Sequence, residues 1–234
     1  MTSYRDRHVV VTGGTGALGA AVLASLLDAG AFCHVPYRND GELERFKGSD
    51  PKRLSFLWVG DLGDEAAVAQ LYAGLPGLWA SIHIAGGFAF APIANTSKDL
   101  LMAQMNMNFV SCYLCCRAAV GRMAEGKAGG RIVNVAARAA LEWRLGAKTT
   151  AYTASKAAVA ALSAALAEEV AGQGILVNAV APSIMDTPAN RKDMPNADFA
   201  KWPTVEEGAA TILFLASPEN RVTRGAVVPV YGQN

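Results

Sequence analysis

Charge is scarce in this chain and evenly matched. Only 18% of its 234 residues are Asp, Glu, Lys or Arg, and 21 basic against 20 acidic side chains leave a net charge of +1. Without a basic excess, neither nucleic acid nor an anionic membrane surface is indicated as a partner. Long apolar runs are missing as well: Gly, Asn or a charge interrupts each one before the ~18 residues a membrane-spanning helix needs. The N-terminal stretch Met1 to His8 carries Arg5, Asp6 and Arg7 and leads straight into the β-branched run Val9–Val11. It leaves no room for a signal peptide. Repeats, low-complexity tracts and linkers are absent. Cysteine is limited to Cys33, Cys112, Cys115 and Cys116. The last three share one helical stretch, with no second ligand cluster and no His nearby, so buried free thiols are expected and a metal site is not. A reducing cytoplasm fits that usage.

What the chain does have is apolar residues, 52% of the total. At this length they suffice for one sizeable α/β domain with a full core, and the small, apolar surface implied favours an oligomer. Short β-branched runs alternate with segments of helical period. The expected strands are Val9–Thr12, Phe32–Tyr37, Leu54–Val59, Ser81–Ala85, Arg131–Val135, Ile175–Ala179 and Val227–Val230. Helices are expected over Ala17–Ala29, Gly41–Phe46, Asp64–Ala73, Asp99–Met123, Tyr152–Ala171 and Val205–Ala216. Such alternation predicts a parallel sheet covered by helices on both faces. One long irregular stretch, 182–203, holds four prolines and reads as a loop over the substrate.

The first strand runs into Thr12-Gly13-Gly14-Thr15-Gly16-Ala17-Leu18-Gly19 and then a helix. Glycines let the backbone approach a pyrophosphate, and a helix N-terminus offers it free N–H groups. The second strand ends at Tyr37-Arg38. An acid here would bind a ribose 2′-hydroxyl and repel a 2′-phosphate. Tyr37 stands in its place and the Arg38 guanidinium suits a phosphate, so NADP is favoured and NAD remains possible. Asp61-Leu62, after the third strand, stands where such folds hold the adenine ring; a helix-capping surface Asp is the alternative.

Tyr152 and Lys156 lie four residues apart, on one face of a helix. A cation beside a phenol favours its ionised form and brings proton transfer nearer neutral pH. What gives this common spacing weight is its position, at the start of the long helix after the fifth strand.

With these residues in hand, the chain resembles the short-chain dehydrogenase/reductases from end to end. The resemblance is carried by the glycine-rich turn, Asp61-Leu62, Ala85-Gly86, Asn108, Tyr152-x-x-x-Lys156 and the segment from Pro182 to Thr187. It implies a single doubly wound Rossmann domain over residues 1–234, with strand order 3-2-1-4-5-6-7. It also implies that Tyr152 is the acid/base, that Lys156 assists it and binds the nicotinamide ribose, and that Asn108 holds a water in a proton relay. Gly13, Thr15, Gly16, Ala17, Leu18, Gly19, Tyr37, Arg38, Asp61, Leu62, Ala85, Gly86 and Gly87 would bind the cofactor with Tyr152, Lys156, Pro182, Ile184 and Thr187. Thr187 would hold the nicotinamide amide. Pairing of copies into a dimer or tetramer through Asp99–Met123 and the helix after Tyr152 is implied too, with small residues such as Cys112, Cys115 and Ala119 at the contact.

Departures from the family pattern bear on function. Its Asn-Asn-Ala-Gly reads His83-Ile84-Ala85-Gly86, its Pro-Gly reads Pro182-Ser183, and its catalytic Ser, due at Ala136 or Ala137, is missing. Thr149 or Thr150 is a candidate source of the lost hydroxyl. Several stretches, above all the one from Asp186 to Phe199, are similar to dihydropteridine reductase and its bacterial relatives, which also lack the serine. The expectation is therefore an NAD(P)H-dependent oxidoreductase acting on a small carbonyl or quinonoid ring, with Ala137, Phe88, Trp143 and Trp202 lining the substrate site. The missing serine leaves a second reading open, a non-catalytic NADP sensor. Retention of Tyr152, Lys156 and Asn108 argues against it.

Overall fold

The computed structural model describes residues 4–46 and 52–233; Met1–Ser3 of the N-terminal stretch read above lie outside the described residues. The strands are β1 His8–Thr12, β2 Phe32–Tyr37, β3 Leu54–Trp58, β4 Ala80–His83, β5 Gly130–Val135, β6 Ile175–Pro182 and β7 Val227–Val230. They form one parallel sheet, as the alternation predicts, in the order 3-2-1-4-5-6-7 that the family resemblance implies. The order reverses between β1 and β4. At that point the connections leave for opposite faces of the sheet, and a crevice opens at the carboxyl ends of the strands.

Helices α1 Ala17–Asp28, α2 Glu65–Ala73, α3 Lys98–Gln104, α4 Ser111–Gly126, α5 Thr150–Glu169, α6 Pro188–Asp193 and α7 Val205–Ala216 follow the strands. Side chains on a strand alternate between faces, and β1 shows the consequence. Val9 and Val11 join Leu23, Leu26, Ile212 and Leu215 in the core under α1 and α7. Val10 joins Ile132, Val159 and Val177 in the core under α2, α4 and α5. Each such large side chain, once buried, contributes about 1.5–3 kcal/mol relative to exposure. Helix starts are capped locally. Asp64 accepts from the Ala66 and Ala67 amides, and Thr204 with Glu207 forms a reciprocal capping box at α7.

Three expectations change. The helix expected over Asp99–Met123 comes in three pieces, with a π turn at Met105–Val110 between α3 and α4. That turn carries Asn108, whose amide is bonded to distant residues, and π turns of this kind are frequent at functional sites. The stretch 182–203 is not an open loop. It contains α6, and the Asp186–Arg191 ion pair at 2.6 Å, the Asn190 Nδ2 bond to Met185 O and the Asp186 amide bond to Pro203 O hold it in place. Lastly, Cys112, Cys115 and Ala119 face inward and are buried in the core. Any pairing of copies through α4 would use its outer side, where Tyr113 is exposed.

Candidate active site

Backbone geometry dictates the glycine turn. Gly13 has φ +68°, and a Cβ there would sit 2.6 Å from the Ala85 amide nitrogen. A Cβ on Gly19 would run into the Gly13 carbonyl. These two glycines let the turn close down on the end of β4. Gly16, the N-cap of α1, makes no side-chain cap, so the first N–H groups of the helix are left for a bound anion. A cleft of about 430 Å³ opens over them. Gly13, residues 15–19, Tyr37, Arg38, Asp61, Leu62, Ala85 and Gly86 all line it. The donor set and the bare backbone fit a dinucleotide.

At the outer end of the cleft Arg38 is exposed, and no ion pair ties it down among the described residues. Opposite charge is close by. Glu42, on the short helical stretch Asp40–Phe46, lines the same cleft and accepts a hydrogen bond from Thr15 Oγ1 at 2.8 Å. Sequence reasoning missed Glu42, since nothing local signals that it folds back onto the glycine turn.

The inner end brings the chemistry together. Tyr152 and Lys156 lie on the first turns of α5, with the Phe88 ring edge-on to Tyr152 at 5.0 Å. Burial pushes the Tyr152 phenol up to about 12. Lys156 is itself pushed down, to about 8, by burial, and Nζ donates to Val135 O at 2.8 Å. The two residues stand one turn apart on α5, and burial raises the phenol where the sequence predicts a lowered pKa. Asn108 is buried; its Oδ1 accepts from Gly87 N at 2.9 Å, and Nδ2 donates to Gly87 O and to Ser155 Oγ, each at 3.0 Å. A Cβ on Gly86 would fall 2.5 Å from Asn108 Oδ1 and 3.3 Å from Lys156 Nζ. Gly86 therefore rests directly on both groups.

Other expected residues fare differently. Ala137 is buried just past β5 and carries no hydroxyl. Thr149 cannot lend one freely, because its Oγ1 donates to Gly146 O at 3.1 Å and approaches Thr153. Thr150 lines a groove on another stripe of α5, with Thr153, Ala154 and Ala157. Trp143 lines that groove too, fixed by its indole N–H bond to Ala140 O, and not the side of Tyr152. Trp202 is buried against Phe199 and packs the fold. Of the aromatic candidates, Phe88 reaches the tyrosine. Thr187 caps α6 through Oγ1, which accepts from Asn190 N at 3.2 Å; Pro182 ends β6, and Ile184 is exposed just beyond it.

The departure at His83 has a structural role. Its Nδ1 lies 2.8 Å from Asn134 Oδ1, and its Nε2 lies 2.8 Å from Ser81 Oγ and 3.3 Å from Tyr72 OH. Asn134 Nδ2 donates to Ser163 Oγ, which turns Oδ1 toward the imidazole and makes Nδ1 the protonated nitrogen. The four cysteines are free and buried, as expected. The absence of a nearby His does not hold: packing of α4 on the end of β4 brings Cys116 Sγ to 3.5 Å from His83 Nδ1.

The short chain dehydrogenase family model matches residues 7–198. The galactitol 2-dehydrogenase of Rhizobium johnstonii is 33% identical, over 95% of this chain and 93% of its own length. A 2-dehydro-3-deoxy-L-rhamnonate dehydrogenase (NAD(+)) from a Sphingomonas species is 31% identical, over 98% of this chain and 95% of its own. Among solved structures, NADP-bound ElxO superposes with a TM-score of 0.88 at 24% identity, over 97% of this chain and 98% of its own.

Proposed function

This chain belongs to the short-chain dehydrogenase/reductase family of oxidoreductases, and from that membership we propose that it is an NADP(H)-dependent reductase of a small quinonoid ring or carbonyl. The observation that carries the reading is that Gly86, in the wall of a glycine-lined cleft whose outer end holds Arg38, rests on Asn108 and Lys156, with Tyr152 one turn before Lys156 on α5. Bound there, the nicotinamide supplies the hydride. The chain's own residues handle the proton. A phenol pushed up to about 12 keeps its proton at neutral pH, so Tyr152 serves as the donor to the atom that gains electrons. Lys156 keeps positive charge beside it, and Asn108 fixes the Gly87 backbone that forms the floor. NADP-bound ElxO and the exposed Arg38 favour NADP; the NAD(+)-dependent relative keeps NAD as the second cofactor to measure. The missing hydroxyl at Ala137 and the ring of Phe88 beside Tyr152 favour a flat, already electrophilic substrate. Pairing of copies through the outer sides of α4 and α5 belongs to the same proposal.

The test is a fluorescence titration with NADPH and NADH, followed by turnover on a panel of aliphatic ketones, sugar ketones, quinones and quinonoid dihydropterin. Saturable NADPH binding with turnover on the panel supports the reading. Tight binding with no turnover selects a sensor in its place.

A further inference from the structure

At the end of β4, on the face of the sheet that α4 covers, an imidazole and two thiols meet. His83 ends β4, and Cys112 and Cys116 stand one turn apart on α4, so both thiols face the strand end. All three residues are buried, and their ligand atoms lie within 4.8 Å of one another. We propose that His83, Cys112 and Cys116 bind one thiophilic divalent cation of the zinc type, with Asn134 Oδ1 as the fourth donor. None of these ligands is assigned to the hydride chemistry, although Cys112 lies near enough to Lys156 to favour its charged form.

Spacing supports the assignment. A tetrahedral ion with Zn–S near 2.3 Å and Zn–N near 2.0 Å separates its sulfur and nitrogen ligands by about 3.5 Å. The Cys116 Sγ to His83 Nδ1 distance is 3.5 Å, and Cys116 Sγ lies 3.4 Å from Asn134 Oδ1. The His83 to Asn134 contact of 2.8 Å must open by a few tenths of an ångström to admit the ion. Outer contacts are already in place. Ligating imidazoles hand the proton of their other nitrogen to a neighbouring acceptor, and Ser81 Oγ and Tyr72 OH both sit within reach of Nε2. Asn134 is held with its oxygen inward by the bond from Nδ2 to Ser163.

Charge and proton balance follow the same logic. Binding M²⁺ releases the two thiol protons to solvent, while the imidazole stays neutral and moves its proton from Nδ1 to Nε2. Two thiolates then cancel the cation's charge, so the occupied site buries no net charge. Ser111, the neighbour of Cys112, lines the cleft, so the site lies one residue behind its wall. Soft thiolates exclude Mg²⁺ and Ca²⁺, which take oxygen ligands.

Full-length protein, kept reduced with a phosphine and stripped with a chelator, is titrated with Cd²⁺ while the ultraviolet thiolate-to-cadmium absorption is followed. One equivalent per chain is expected, displaced by Zn²⁺. A Cys33→Ala/Cys115→Ala variant should keep the band. Cys112→Ser and His83→Asn should weaken binding at least tenfold, with circular dichroism confirming that each variant is folded. No saturable one-equivalent band in the wild type overturns the proposal, whatever the variants do. So does a band that survives unchanged in His83→Asn or Cys112→Ser.

Discussion

Lys156 Nζ donates to the carbonyl oxygen of Val135 at 2.8 Å, tying the first turns of α5 to the end of β5. This bond gives one donor of the buried ammonium a partner, but it does not replace the water that was lost. Burial consequently lowers the lysine to about 8. The site holds a charge the fold would rather not bury, next to a phenol the fold keeps protonated.

The sign of that linkage can be measured. Below pH 8 the folded chain carries the full cost of a buried ammonium. Between about 8 and the ordinary 10.5 the folded state sheds the proton before the unfolded state does, so this group's contribution makes stability rise with pH across that window. A drop of this size corresponds to on the order of 3 kcal/mol, part of which is offset by the Val135 bond. Lys156→Met should therefore raise stability at pH 7 by about 1–2 kcal/mol while removing turnover. Urea denaturation reads it; a lower midpoint for the variant would contradict the assignment.

Tyr152→Phe removes the proton and little else, since among the described residues no hydrogen bond engages the phenol oxygen. Turnover should fall by about two orders of magnitude or more, the loss typical of a positioned general acid, with NADPH affinity almost unchanged. Steady-state kinetics alongside a binding titration test both halves, and wild-type turnover in the variant would refute the role.

Cofactor choice should turn on two opposed charges. A charge-assisted contact from Arg38 to a 2′-phosphate is worth on the order of 1.5–3 kcal/mol, or roughly ten- to a hundredfold in affinity. Arg38→Ser should abolish most of the NADPH preference. Glu42, held against Thr15 in the same cleft, repels a phosphate, so Glu42→Gln should tighten NADPH and leave NADH nearly alone. Equal dissociation constants for the two cofactors in the wild type, by calorimetry, would sink this account.

Features that depend on local spacing were legible in the sequence. Strand–helix alternation implied the parallel sheet, the glycines after β1 marked the cleft, and four-residue spacing put Tyr152 and Lys156 on one face; the sheet order came with the family resemblance. What stayed hidden depends on residues far apart in the chain. Asn108 sits in the π turn that interrupts its helix, and its amide bonds Gly87 and Ser155, 21 and 47 positions away. Glu42 meets Thr15 across 27 positions and His83 meets Cys116 across 33. Trp143 and Trp202 had the right chemistry for a flat ligand, but the tertiary structure puts one in a separate groove beside α5 and buries the other in the fold.

His8 and His34 provide a second pH test, remote from the cleft. Their rings stack and share a hydrogen bond of 2.9 Å between His8 Nδ1 and His34 Nε2, which requires an unprotonated nitrogen. Burial first, and the neighbouring His8 second, lower His34 to about 4 from its ordinary 6.5. Between those values the unfolded state takes up the proton that the folded state refuses. Stability should fall as pH drops from about 6.5 toward 4. His34→Gln should flatten that slope in thermal melts, and an unchanged slope would rule the pair out as its source.

The vacancy at Ala137 makes the sharpest prediction about substrate. Reducing a ketone builds negative charge on its oxygen, and donors aimed at that oxygen carry much of the catalysis. Thr149 is bonded to Gly146 and Ala137 contributes only a methyl group, which leaves Tyr152 as the single donor the proposed chemistry can call on. A quinonoid ring needs less help, because it is already electrophilic and spreads incoming charge over several atoms. The Phe88 ring beside Tyr152, 63% exposed, is free to pack against such a flat substrate. Quinonoid dihydropterin or a related ring should therefore exceed simple aliphatic ketones in kcat/KM by at least roughly tenfold, or about 1.4 kcal/mol in barrier. Ala137→Ser should narrow the gap by raising ketone turnover, since the new hydroxyl restores the second donor. Measuring both substrate types in both proteins separates the outcomes. Ketones winning in the wild type would make this an ordinary carbonyl reductase and remove the argument from the missing serine.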